Sequence, residues 1–221
     1  MEYNVSTLKT EIRIALDHNE SSQPLSALGD IDTLTLEDII GSKIADAARI
    51  VEASAPRSLL DSGKAFGDSI GWDGEAGYGS GHIHLPDDFL RLVTFQMSDW
   101  SYAITEAITD DSEAYAMQRS RYAGIKGSPQ KPVVAIVQQP IGLVLEFYSS
   151  YSGDNAYVKK ARYIPIPRIV DGKIDICEKL RSAVVYYAAY MTALSIGEGD
   201  LAAAMLKQVK DIIGDNSNGD E

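Results

Sequence analysis

His82 and His84 stand two residues apart. In an extended strand that spacing puts both imidazoles on one face, from which they can hold a transition metal. Asp87 and Asp88 follow closely and supply carboxylates of the kind a metal- or carbohydrate-dependent enzyme uses. Two features weaken that reading. No third His or Cys lies in range, and adjacent acids in a strand point to opposite faces, so Asp87/Asp88 and Asp110/Asp111 with Glu113 do not converge on one substrate. Loop solvation and capping of a short helix over residues 112–123 account for these acids more simply. The glycines Gly77, Gly79 and Gly81 precede a strand instead of opening a helix, and Gly63-Lys64 lacks the rest of a phosphate loop. There is no Gly-x-Ser-x-Gly elbow. Cys177 reads as a small buried hydrophobe in the first turn of an amphipathic helix. The residues thus predict no catalytic, cofactor or metal site and a non-enzymatic protein, with the His82/His84/Asp87/Asp88 enzyme as the alternative.

Binding chemistry gathers elsewhere. The chain holds 20 Lys and Arg against 32 Asp and Glu, a net charge of −12, yet residues 126–173 carry seven bases and three acids. A basic segment in an acidic chain suggests complementary surfaces, between subunits or toward a partner. Lys159, Lys160 and Arg162 lie there among tyrosines, which number 12 against four Phe. A tyrosine ring with a polar tip suits an interface that stays wet on one side. Strand alternation puts Lys160 and Arg162 on one face and Lys159 on the other, so at most two of the three join one contact. Residues 63–82 are glycine-rich, a loop or hairpin signature, and Trp72 and Tyr78, read as exposed there, are the other interface candidates. The net negative charge disfavours a surface that wraps nucleic acid.

These residues need elements to hold them. Val5, Leu8, Ile12 and Leu16 recur at helical spacing over 5–18, with Ser6 or Thr7 as N-cap. A second helix, 35–54, opens on a Thr35/Asp38 capping box and buries Leu36, Ile40, Ile44, Ala47 and Val51. A third, 175–196, opens on Asp175 with Glu178. Its face is Ile176, Leu180, Ala183, Tyr187, Met191 and Leu194, and Gly197 and Gly199 end it. Asp200 caps a fourth helix, 200–213, and the tail Asp215–Glu221 reads as polar and mobile. Between the second and third helices come β-rich stretches: His82–Leu85, Leu90–Met97, Pro132–Val137, Leu143–Tyr148 and Tyr157–Ile164. The expected fold is α+β: a helical bundle from residues 1–62 and 171–221 with an inserted, mostly antiparallel β domain over 63–170.

At 221 residues and 45% hydrophobic content, the chain can bury a sizeable core. A lone cysteine points to a reducing compartment. The opening residues do not resemble a signal peptide, and no stretch is long and apolar enough for a membrane span. A non-secreted protein that does not insert in membranes is predicted.

The run LPDDFLRLVTFQMSDW (Leu85–Trp100) resembles the head-to-tail connector proteins of tailed bacteriophages, particularly neck-ring adaptors. So does the later order: PVVAIVQ, GLVLEFYSSYSG, YIPIP and the helix EKLRSAVVYYAAYMTALSIGEGD. The similarity covers about Thr35 to Ile213 as an order of elements. It implies a structural virion protein in the neck, a homo-oligomeric ring of roughly twelve subunits that contacts the portal and tail or further neck proteins. Through its lumen the genome passes without sequence-specific binding. An acidic chain suits that passage, because phosphates are repelled rather than gripped.

Overall fold

The structure is a computed structural model that describes residues 1–16, 35–67, 69–73, 77–118, 120, 122, 125–140, 142–152 and 156–214. The chain runs β1 (Glu2–Asn4), α1 (Val5–Ala15), α2 (Leu36–Ser54), β2 (Lys64–Ala65), β3 (Gly71–Asp73), β4 (Gly77–His84), β5 (Phe89–Met97) and β6 (Ile108–Thr109). There follow α3 (Glu113–Gln118), β7 (Val134–Gln139), β8 (Gly142–Ser152), β9 (Val158–Pro165), β10 (Ile169–Val170), β11 (Lys173–Asp175), α4 (Arg181–Ile196) and α5 (Gly199–Ile213). The protein is mixed α+β. Among the described residues the strands pair antiparallel, except β6 with β7. Contacts divide the chain into two units, Met1–Asp61 with Ile166–Glu221, and Ser62–Pro165. The expectations for residues 17–18 and for the tail 215–221 lie outside the described residues.

In the first unit, α2 opens as its sequence predicts. The Thr35 hydroxyl accepts from the Asp38 N–H at 3.2 Å, and the Asp38 carboxylate accepts from the Thr35 N–H at 3.1 Å. The cap of α1 is Asn4, not Ser6 or Thr7: its side chain accepts from the Ser6 N–H at 3.0 Å. Asn4 is extended because it ends β1, the backbone an N-cap needs. The Asp175/Glu178 box does not form. Asp175 is drawn into β11, opposite Glu2 of β1, and Glu178 starts a 3₁₀ turn, so α4 begins at Arg181 without a side-chain cap. Cys177 therefore precedes the helix and is buried there.

The buried face of α4 also differs from the expected stripe. Ala183, Val184, Val185, Ala188, Ala189, Thr192 and Ala193 are buried, Tyr187 and Met191 are half-buried, and Leu194 is exposed. Helix α4 packs on α1, α2 and α5 at once, and small side chains allow three helix backbones to approach it. Gly197 ends α4 in the left-handed conformation at φ +85°. Helix α5 starts at Gly199, so Asp200 lies inside its first turn and is not its cap.

Two predictions concern α2. A Cβ at Gly41 would lie 2.8 Å from Cε of Lys9, the movable end of a long side chain. Gly41→Ala is expected to stabilise the protein by about 0.5–1 kcal/mol, because glycine loses more backbone entropy in a helix interior. Urea unfolding followed by far-UV circular dichroism checks it. The second concerns Glu52, which is buried and accepts from the Cys177 N–H at 2.7 Å. Burial raises its carboxyl pKa above the ordinary value. A raised acid pKa gives stability that is present below the unfolded value and lost as pH rises through the folded one. Glu52→Gln keeps an acceptor for Cys177 without the charge. Its urea midpoint is expected to vary less with pH between about 4 and 8, and to exceed wild type most at the alkaline end. Parallel profiles for the two proteins would refute the assignment.

The second unit is built from two sheets that bury one core. Sheet β2-β9-β5 and sheet β3-β4-β8-β7-β6 contribute Leu92, Phe95, Met97 and Ala161 from the first and Ile83, Val134, Leu145 and Phe147 from the second. Leu85 and Trp100 complete the cluster. On its other face the five-stranded sheet buries Ala135, Val137 and Val144 beneath Tyr115 of α3 and Tyr148. Within the glycine-rich stretch β3 and β4 pair antiparallel, the hairpin of the two readings the sequence allowed, and glycines there make room for rings. A Cβ at Gly81 would lie 2.6 Å from Cζ of Phe147, and one at Gly71 2.5 Å from Nε2 of His82.

Candidate interaction surface

Strand β9 presents its cations through an irregularity. Val158 pairs with Met97 and Lys160 with Gln96, so Lys159 is an extra residue in the ladder, a β-bulge. Regular alternation would turn Lys159 inward with Ala161 and Tyr163, which are buried. The bulge leaves Lys159 exposed together with Lys160 and Arg162. All three basic side chains are therefore available to a contact, instead of two. Arg162 Nη1 donates to the Gly63 carbonyl at 3.0 Å. Among the described residues none of the three makes an ion pair with an acid. In a chain of charge −12 these cations keep their charge open to solvent or to a partner.

The strand is fixed from behind. Tyr163 points inward and its hydroxyl donates to Asp88 Oδ1 at 2.6 Å, while Lys64 Nζ lies 3.5 Å from Oδ2. Burial, and then the Asp88 carboxylate, push the Tyr163 hydroxyl up to about 12. At the start of β9, Tyr157 is exposed, its carbonyl accepts from the Ser98 N–H at 2.9 Å and its N–H donates to Ser98 Oγ at 3.2 Å. The loop following Ser98 carries Tyr102, also exposed, and is held by Ser101 N–H to the Pro129 carbonyl at 2.9 Å. Tyr102 was not singled out from the sequence. It stands outside any periodic pattern, and only its tyrosine type hinted at it.

Trp72 is not an exposed loop residue. It lies in β3, half-buried, with its ring edge-on to Phe147 at 5.4 Å. Tyr78 pairs with Tyr151 in the β4–β8 ladder, and its side chain lies outside the described residues. The structure thus keeps the basic trio together and gives Trp72 to the core.

His82 and His84 share one face of β4, their rings edge-on with centroids 5.9 Å apart. Asp88 is engaged by Tyr163 and Lys64, and Asp87 is exposed. Among the described residues no group of three or more His, Cys, Asp or Glu is arranged to hold a metal ion. Instead, the neighbouring polar group is Glu146, opposite His82 in the ladder. Its carboxylate accepts from Tyr115 at 3.1 Å, from Gln139 at 3.0 Å and from the Tyr148 hydroxyl. Burial and the carboxylate raise the Tyr148 pKa. Three donors on one half-buried carboxylate tie α3 to the sheet, which is a structural use of the charge. Glu146 lies between apolar residues in the sequence, and alternation alone marked it only as facing away from Leu145 and Phe147.

No family model matches the chain, and no curated protein matches it either. Among the described residues, no helix is long and apolar enough to cross a membrane.

Proposed function

We propose that this chain is a non-enzymatic structural component of a bacteriophage neck: a ring that joins portal to tail and lets the genome pass. The observation that carries the reading is the exposed trio Lys159, Lys160 and Arg162 on an acidic protein, which among the described residues makes no ion pair with an acid. A heterologous ring needs two different complementary surfaces on each subunit, and such a charge split provides them. The resemblance over Leu85–Trp100 and the following β–β–helix order supports the same reading. So does the division of contacts, in which both chain ends build one unit and residues 62–165 the other, as a helical bundle with an inserted β domain requires.

Ion pairs at a rim are worth about 0.2–1 kcal/mol each, so the cations set register and encounter while tyrosines and aliphatics supply affinity. Mixing the protein with purified portal complexes and locating it by electron microscopy tests the proposal. Ring density at the portal's outer end supports it, and absence from portal and tail complexes refutes it. Reversing Lys160 and Arg162 to Glu is expected to block assembly before genome packaging. Normal rings with altered DNA retention would instead mean that this strand faces the lumen.

A further inference from the structure

The exposed tyrosines beside the basic strand suggest a more specific partner. Tyr157 is 62% exposed and Tyr102 49% exposed. They flank the Ser98–Ser101 loop, which is fixed at Ser98 by Tyr157 and at Ser101 by Pro129. Lys159 and Lys160 follow Tyr157 after the half-buried Val158, and the bulge keeps both lysines outward. The surface therefore offers apolar rings next to two cations, held on a rigid ladder and a pinned loop. What it fits is an apolar side chain accompanied by acids.

An arrangement of opposite sign lies in the first unit. Residues 1–61 and 166–221 carry twenty acids against eleven bases. At the turn between α4 and α5, Leu194 is 53% exposed, and Glu198 and Asp200 are exposed close behind it. Leu194 is also the residue that the amphipathic pattern of α4 would bury, yet small neighbours take the inner face. We propose that the Tyr102/Tyr157 and Lys159/Lys160 surface docks the α4–α5 turn of a second copy of this chain. Leu194 enters between the rings while Glu198 and Asp200 meet the lysines. The contact is head-to-tail, so it propagates from copy to copy. It rests on the neck-ring reading only for its purpose, since the charge and apolar match stand on the residues themselves.

Carbodiimide coupling tests it with the full chain alone. The reagent joins a lysine amine to a carboxylate as an amide only where the two touch, and is itself converted to a urea. Mixing isotope-labelled with unlabelled chain separates coupling between copies from coupling within one. Mixed-isotope peptides joining Lys159 or Lys160 to Glu198 or Asp200 are expected. Reversal at Lys159 alone (Lys159→Glu) leaves the Lys160 amine and is expected to lower the yield of the Lys160 peptides about threefold, as reversal of one ion pair implies. A full swap, Lys159→Glu and Lys160→Glu with Glu198→Lys and Asp200→Lys, restores coupling between the exchanged positions, and Leu194→Ser lowers the yield with all charges kept. Coupling confined to single copies, coupling that maps elsewhere, an unchanged yield in the reversal, or failure of the swap to restore it overturns the proposal. Portal binding is a separate readout, so a chain that couples as expected yet never binds portal complexes removes the neck-ring reading alone.

Discussion

Phe147→Ala is expected to destabilise the second unit by about 3–5 kcal/mol, the largest effect of any single substitution considered. Phe147 is fully buried, with ring centroids of Trp72 at 5.4 Å, Phe95 at 6.2 Å and Trp100 at 6.4 Å around it. Truncation removes apolar area and leaves a cavity that four aromatic and backbone neighbours cannot fill, because Gly81 opposite has no side chain to move in. The measurement is simple. The chain has two tryptophans, Trp72 and Trp100, and both touch this ring. Their emission during urea unfolding reports the unit directly. A midpoint equal to wild type would mean that the core around Phe147 is not packed as described.

Gly63→Ala should cost about 3 kcal/mol for a different reason. Gly63 has φ +66°, and a Cβ there would lie 2.2 Å from the Tyr163 carbonyl oxygen and 2.8 Å from its carbon. Those are backbone atoms of β9, held by pairing to β2 on one side and β5 on the other. They cannot swing aside as a lysine tail does. The left-handed backbone accounts for about 1 kcal/mol and overpacking for about 2 more. Gly142→Ala isolates the first part: its φ is +122° and a Cβ there meets nothing within 4 Å. Equal losses in the two variants, measured by the same tryptophan emission, would show that β9 yields and that the clash is relieved.

Local chemistry made some of this structure legible in the sequence. The Thr35/Asp38 box and the Leu36–Ile40–Ile44–Val51 spacing needed no partner to be read, since capping and helical period are properties of neighbouring residues. Strands β5, β7, β8 and β9 were readable in large part from β-branched and aromatic content, whereas the glycine-rich first half of β4 was not. Long-range pairing was not. Strands β1, β2, β3, β6, β10 and β11 have two or three residues each, too few for alternation to show. Asp175 looked like a cap because only its pairing with Glu2 makes it a strand residue. The α4 face was misread because hydrophobic size guided the expectation, whereas contact with three helices favours alanine. At the candidate surface, the Lys159–Arg162 cluster was visible as charge. Its common exposure was not, since a bulge arises from the mismatch between two strands and neither strand contains it alone.

The bulge at Lys159 has a further consequence for which length changes this strand tolerates. Removing Lys159 leaves Val158 and Lys160 as consecutive residues opposite Met97 and Gln96, a regular ladder with Ala161 and Tyr163 still inward. A deletion at that one place therefore shortens β9 without turning it over. Deleting Arg162 instead shifts Tyr163 and Ile164 by one place against β5 and reverses the face each presents. Among homologues that differ in length here, the gap should fall at Lys159, and those that lack the residue should carry two outward side chains on this stretch in place of three.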